Sequence, residues 1–290
     1  MIIRGYQKQD AAMLARIRQG LGKKGTAVSL HRYFENVKRA GGQGWVAEIN
    51  GRLLGAIIVA PLPGLPHLLQ LDGFVAVEQQ RQGYATQMLA YVKRELAGSG
   101  QTLTHGLDDV NSSAAGFLQK QGFEIGYEEW MMILDIGKAE TAVLPPAPNP
   151  KVSLRALPRE QAVRQFITLY DASFSPHPWY QPFTPAEVED ELTNPQDIRF
   201  FYEQEQLLGF IWVRQEGNQA EFEPIGVLPA AQGKGYGRWL VQTAVYQAAQ
   251  QGVEEIHLGV WRSNEAAVGL YQSLGFVQQS SRTYFVQKLQ

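Results

Sequence analysis

At 290 residues the chain is long enough for two domains of ordinary size, and with 44% apolar and 19% charged residues it is neither disordered nor fibrous. Lys and Arg number 26 against 28 Asp and Glu, a net charge of -2, which excludes the basic surplus that a general nucleic-acid or anionic-membrane binder needs to neutralise phosphates. There is no cysteine, so disulfides, thiolate metal sites and a cysteine nucleophile are excluded as well. The opening MIIRGYQKQD lacks the apolar core of a secretory signal, and the longest apolar stretch, residues 53–62, is too short to cross a bilayer. A cytoplasmic protein without membrane or nucleic-acid partners is expected.

In chain order, residues 45–49 and 53–60 are predicted to form a hairpin of apolar strands about the Asn50-Gly51 turn. A further strand leads into the turn QRQGYAT. The helix that follows carries Met88, Leu89, Val92 and Leu96 on one face. Then come a strand at 102–107, a short helix opening near Asn111, and closing strands. Residues 138–151, KAETAVLPPAPNPK, hold four prolines, which remove backbone donors and extend their neighbours as an interdomain connector would.

Beyond the connector the same series returns. A hairpin pairs 198–202 with 207–214, a strand leads into QGKGYGR, and a helix carries Leu240, Val241, Ala244, Val245 and Ala248 on one face. A strand at 255–260 and a short helix near Asn264 complete it. Gln80 and Gly83 stand 152 positions before Gln232 and Gly235, while Asn111 and Gly122-Phe123 stand 153 before Asn264 and Gly275-Phe276. A period this long is that of a domain duplication. The expected division is 1–137, a linker at 138–151, and 152–290, each domain being α/β, with helices packed on a mostly antiparallel mixed sheet.

Gln232-Gly233-Lys234-Gly235-Tyr236-Gly237 lies between strand and helix. Glycines there permit positive φ and close backbone approach, and the N–H groups opening a helix attract anions, with Lys234 and Arg238 adding charge. Taken alone, the turn fits either a phosphate site or a tight strand-to-helix connection. The P-loop and GxGxxG patterns are absent.

Together with Asn264, Leu270, Tyr271, Gly275 and Phe276, the turn resembles the GNAT N-acetyltransferase superfamily in its tandem form. The first half keeps Gln80, Gly83, Ala85, Asn111, Phe117, Gly122 and Phe123. The tandem layout, GFIWV and the late TYF are more loosely similar to mycothiol synthases, which acetylate a cysteinyl amine. The resemblance implies a splayed central strand pair in each domain, helices on both faces of each sheet, and acetyl-CoA as acyl donor. It places the pyrophosphate on Gln232, Gly233, Lys234, Gly235, Tyr236, Gly237 and Arg238. The pantetheine arm would lie along Ile225, Gly226 and Val227, near Asn264. In the first half the corresponding residues are Gly73 to Val75, then Gln80, Arg81, Gln82, Gly83, Tyr84 and Ala85.

Acetyl transfer to an amine needs a neutral nucleophile, a stabilised oxyanion and a proton for the leaving thiolate. The resemblance nominates Glu221, eleven residues before Gln232, as the base. Glu223 shares its face by strand alternation and is the second candidate; both are equally consistent with solvent-facing edge carboxylates. The N–H of Ile225, past Pro224, is the expected oxyanion donor. Tyr271 is either the general acid of the resemblance or a core tyrosine. Asn264 caps its helix, contacts the pantetheine, or both.

Counting back 152 and 153 residues from Glu221 and Tyr271 gives Leu69 and Leu118, which carry no proton, so the first domain is expected to be catalytically silent, although its turn could hold a coenzyme. The aromatic segment from Phe174 to Tyr180 is a substrate loop or a packed connector; its lone His177 indicates no metal. The expected activity is direct acetyl transfer to a primary amine of a small molecule, such as an amino-sugar conjugate, in the C-terminal domain. The alternative is a non-catalytic acyl-CoA-binding sensor or scaffold.

Overall fold

The structure, a computed structural model, describes residues 1–138, 144–175, 177 and 180–289. In chain order the elements are β1 (Ile2–Gly5), α1 (Ala11–Gly20), α2 (Ala27–Arg39), β2 (Gln43–Ile49), β3 (Arg52–Leu62), β4 (Leu65–Val75), α3 (Tyr84–Glu95), β5 (Thr102–Leu107), α4 (Ser113–Lys120) and β6 (Glu124–Asp135). They continue with β7 (Val152–Arg155), α5 (Arg159–Phe174), α6 (Pro185–Glu191), β8 (Ile198–Glu203), β9 (Gln206–Glu216), β10 (Gln219–Val227), α7 (Tyr236–Gln250), β11 (Glu255–Trp261), α8 (Glu265–Ser273) and β12 (Val277–Lys288).

The chain forms two compact units, but not the two halves of the sequence. The first is Met1–Gly126 with the C-terminal segment from Thr283; the second is Tyr127–Arg282. In the first, strands run β1-β2-β3-β4-β5 and residues 283–288 of β12 close the sheet against β5. In the second they run β7-β8-β9-β10-β11, and residues 129–135 of β6 close it against β11. The division into 1–137 and 152–290 therefore needs correction: the closing strands are exchanged. Because the halves are duplicates, each closing strand has the pattern to complete either sheet, and only the tertiary structure selects between them.

Side-chain alternation gives each sheet two covered faces. On β3, Leu54, Ile57 and Val59 pack with Met88, Leu89 and Val92 of α3, while Leu53, Ala56 and Ile58 pack with Leu14 of α1 and Phe34 of α2. On β9, Leu208 and Ile211 join Leu240, Val241 and Ala244 of α7, whereas Phe210 and Trp212 face α5. There Phe166 meets both rings edge-on, with centroids at 5.1 and 5.0 Å. The connector is tied down at its end, where Asn149 donates to Glu203 at 2.7 Å; residues 139–143 lie outside the described residues.

Phe285 of β12 is fully buried in the core of the first unit, which also contains Leu103 of β5. A fragment of residues 1–126 should therefore show no cooperative thermal transition by circular dichroism, and should gain one when a peptide of residues 277–289 is added. A cooperative melt without the peptide would mean that β5 does not need β12.

Candidate active site

In the second unit β10 and β11 are paired in parallel over three positions only, ending at Glu221 opposite His257. From there β10 follows β9 to Val227 and β11 follows β6 to Trp261. At the point of divergence β10 bulges: Phe222 is opposite Val213, yet the next register pair is Ile225 with Ile211, so β10 holds one residue more than its neighbour. Glu223 and Pro224 occupy the bulge, and proline has no N–H to contribute to a ladder.

Glu223 turns into the opening between the strands, where its carboxylate lies against Gly259 of β11. A methyl group on Gly259 would lie 3.1 Å from both carboxylate oxygens of Glu223 and 3.3 Å from Oε1 of Glu129, so glycine is what lets two carboxylates crowd this strand. Burial, with the charges of Glu221 and Glu129, raises the Glu223 pKa to about 7 against the opposing pull of Arg214 and the Gly259 N–H. Glu221 has a different environment. It accepts from Nε of Arg214 at 3.0 Å, and its side chain is 43% exposed. Arg214 in turn lies over the Trp212 ring.

Tyr271 on α8 is buried, and burial with the Glu223 charge holds its phenol above the usual range. Tyr170 on α5 is raised mainly by burial, with Tyr180, Glu223 and Asp171 adding to it. Its ring is 5.8 Å from that of Tyr180, whose hydroxyl donates to Asp171. His177 is exposed, and its N–H donates to the Phe174 carbonyl; Pro176, Pro178 and Trp179 lie outside the described residues.

The glycine turn opens α7, and no side chain caps it. Gly235 at the N-cap has φ +83°, and Gly83 at the start of α3 has φ +82°, a left-handed conformation that glycine adopts without penalty. Gly233 is also left-handed, and in the first unit the same position is taken by Arg81 at φ 59°. Gln232 donates through Nε2 to the Val227 carbonyl at 2.9 Å, and Gln80 does so to Val75 at 3.2 Å, so these glutamines brace the turn against the preceding strand. Lys234 is exposed, and Arg238 donates to Oγ of Ser273. The Tyr236 ring is buried against Phe201, and its hydroxyl donates to Glu203. This leaves its backbone, rather than its side chain, facing the helix start. Asn264 caps α8 by accepting from Ala267. In the first unit that place belongs to Ser112, which caps α4, and not to Asn111.

The register also revises the match between the units. β4 follows β3 without a shift from Leu69 to Val75, whereas β10 carries its extra residue between Phe222 and Ile225. Before the bulge the offset between halves is therefore 151 and directly after it 152; α8 holds nine residues against eight in α4, so beyond these helices it is 153. Glu221 corresponds to Gln70, and Leu69 corresponds to the core residue Ala220. Asp72 stands where the second unit has Glu223 and Pro224. Leu118 is the true counterpart of Tyr271, each carbonyl accepting the N–H of the phenylalanine five residues on. Sequence reasoning missed Glu129, Arg214 and Tyr170. Glu129 comes from the strand before the connector, and no pattern in the second half could have pointed to it.

Residues 163–276 match the model of the acetyltransferase (GNAT) family, and residues 40–125 match that of an acetyltransferase (GNAT) domain, together more than half of the chain. The chain belongs to the GNAT acetyltransferase family. Acetyl-CoA is the acyl donor of GNAT acetyltransferases. A mycothiol acetyltransferase of Paenarthrobacter aurescens is 33% identical over 213 residues, covering 69% of this chain and 64% of that protein. One from Renibacterium salmoninarum is 28% identical over 252 residues, covering 82% and 73%. Among solved structures, a GCN5-related N-acetyltransferase from Sphaerobacter thermophilus has a TM-score of 0.65 at 18% identity, covering 100% of this chain and 96% of that one. A tandem GNAT protein from the clavulanic acid biosynthesis pathway has a TM-score of 0.60 at 15% identity, covering 100% and 98%. Both share the fold of this tandem GNAT acetyltransferase. Among the described residues no helix is long and apolar enough to cross a membrane, and no group of three or more His, Cys, Asp or Glu is arranged to hold a metal ion.

Folding raises the Glu223 pKa from 4.5 to about 7, so the folded protein keeps a proton that the unfolded chain releases. Stability from this group thus falls as pH climbs through that window. Glu223→Gln removes the penalty while keeping nearly the same shape beside Gly259. The variant should match the parent near pH 4.5 and exceed it above pH 7, by at most about 3 kcal/mol in urea unfolding. An unchanged difference across that range would contradict the shift.

Proposed function

We propose that the second unit transfers acetyl from acetyl-CoA directly to a primary amine of a small molecule, with Glu223 as general base and Tyr271 as general acid. The observation that carries this reading is Glu223 itself: a carboxylate in the bulge between two diverging strands, with a pKa raised to about 7. A base in that range is ionised near neutrality and still strong enough to take a proton from an ammonium. Glu221, the first nominee of the sequence, is engaged by Arg214 and is assigned to holding that arginine.

Acetyl-CoA supplies the acetyl group as a thioester. The uncapped start of α7, with left-handed Gly233 and Gly235, suits the pyrophosphate, and the edge of β10 freed from β11 suits the pantetheine amides. Glu223 removes the proton of the acceptor ammonium, directly or through water. The N–H of Ile225, first after the bulge, is assigned to the oxygen that gains charge, and the Tyr271 phenol to protonating the departing sulfur. Raised above its usual range, that phenol keeps its proton at neutral pH. These two groups favour turnover over a passive acyl-CoA-binding module. The first unit has Leu118 in place of the acid and is assigned no turnover, though its turn at Gly83 can hold coenzyme. The relatives named mycothiol acetyltransferase support an acceptor of that class, a small cysteinyl amine on a sugar conjugate.

Steady-state kinetics over a pH series test the assignment. Glu223→Gln should lower kcat/KM near neutrality by about 10²–10⁴-fold and recover in part at high pH, where the amine is already neutral. Glu221→Gln should cost less than about tenfold. The reverse order of effects would make Glu221 the base. Tyr271→Phe should lower kcat while leaving acetyl-CoA affinity unchanged by calorimetry, and Gly235→Glu should weaken that affinity; full kcat for Tyr271→Phe would reduce the tyrosine to packing.

A further inference from the structure

The first unit contains a cavity of about 230 Å³ between α1, α2 and β4, away from its glycine turn in sequence. Its polar groups are Arg18 of α1, Lys24 of the loop between the helices, Tyr33 of α2 and Asp72 of β4. The hydroxyls of Thr26 and Ser29 also reach the wall, but they are used in the capping box that opens α2, with Thr26 N–H donating to Ser29 Oγ at 2.8 Å and Ser29 N–H to Thr26 Oγ1 at 3.2 Å. The loop is held from outside by Gln19, whose Nε2 donates to the Gly25 carbonyl at 3.0 Å. Arg18 lies over the Phe74 ring, 5.8 Å from its centroid, which fixes the guanidinium beside β4.

These groups carry both signs of charge. Asp72 belongs to the position that in the second unit forms the bulge with Glu223, and one of its oxygens accepts the N–H of Gly73 at 2.8 Å. Its charge is felt by Tyr33, whose phenol is raised by burial and by Asp72 and lowered by Arg18. The cavity is thus lined by one carboxylate, from β4, and two cations, from α1 and the loop before α2, with the start of α2 adding partial positive charge beside Lys24. A ligand of matching charge carries one ammonium and a dianion. Its volume falls below the roughly 300–1,000 Å³ of drug-sized pockets, so the ligand is metabolite-sized.

We propose that this cavity binds a small phosphorylated primary amine, the ammonium on Asp72 and the phosphate on Arg18 and Lys24. The site is separate from the acetyl-transfer centre assigned to the second unit, and it stands whether or not Glu223 is the base there. Arg supplies a planar fork suited to phosphate oxygens, and Lys a mobile point charge. The Tyr33 hydroxyl lies within the field of both Asp72 and Arg18 and can donate to a phosphate oxygen.

Calorimetry on the full chain with O-phosphoethanolamine tests the proposal, with ethanolamine and inorganic phosphate as half-ligands. Binding of the whole probe should be at least about tenfold tighter than that of either half. Asp72→Asn should remove that advantage over phosphate, and Arg18→Met with Lys24→Met should remove phosphate binding, while Glu223→Gln leaves all three affinities unchanged. Circular dichroism melts of each variant establish that it is folded. The absence of measurable binding at millimolar probe would overturn the proposal, as would binding indifferent to Asp72→Asn and to the double substitution, or binding lost with Glu223→Gln.

Discussion

Two neighbouring parallel strands that remain paired for only three residues set the rest of the second unit. Beyond Glu221 and His257 the facing edges of β10 and β11 have no ladder between them, and backbone polar groups left without partners must be met by water, side chains or a ligand. The bulge at Glu223 and Pro224 supplies part of the answer from within the chain. The Glu223 carboxylate crosses the gap and lies against Gly259 of β11. Crossing the gap also brings the carboxylate into a buried position beside two further carboxylates, which raises its pKa to about 7. Geometry and acidity have a single origin here, one additional residue in β10.

The first unit makes the role of that residue visible by lacking it. Its strands β4 and β5 also pair in parallel for three positions before separating, so divergence by itself does not require a bulge. Without the extra residue a shorter acid, Asp72, lines the cavity under α1 and α2 instead, where Arg18 and Tyr33 also stand. Duplication thus produced two openings of the same design with different chemistry. The replacement of Tyr271 by Leu118 is a second, independent difference, on helices that differ by one residue in length but close on the following phenylalanine in the same way.

Much of this was legible in the sequence because it is local. Hairpins, helix faces and the paired glycine turns follow from alternation, helical periodicity and the need for positive φ at Gly83 and Gly235. The exchange of β6 and β12 was not, since closing strands of duplicate domains carry interchangeable patterns. The bulge was hidden for a related reason: the landmarks used to match the halves all lie after it, so a shift of one residue upstream left Leu69 aligned with Glu221. What separates Glu221 from Glu223 was not legible because it lies in tertiary partners, Arg214 for one and Glu129 with Gly259 for the other. Tyr236 gives the opposite lesson, a motif residue whose side chain serves the core through Glu203 and Phe201.

Burial in the bulge, beside Glu221 and Glu129, holds the Glu223 carboxyl well above the usual glutamate range. The most direct measurement of this is a carbon-13 NMR titration of the side-chain carboxyl groups in glutamate-labelled protein, with the Glu223 resonance assigned by its loss in Glu223→Gln. The account predicts a midpoint near 7 for that resonance. A midpoint in the ordinary glutamate range near ~4.3 would contradict it.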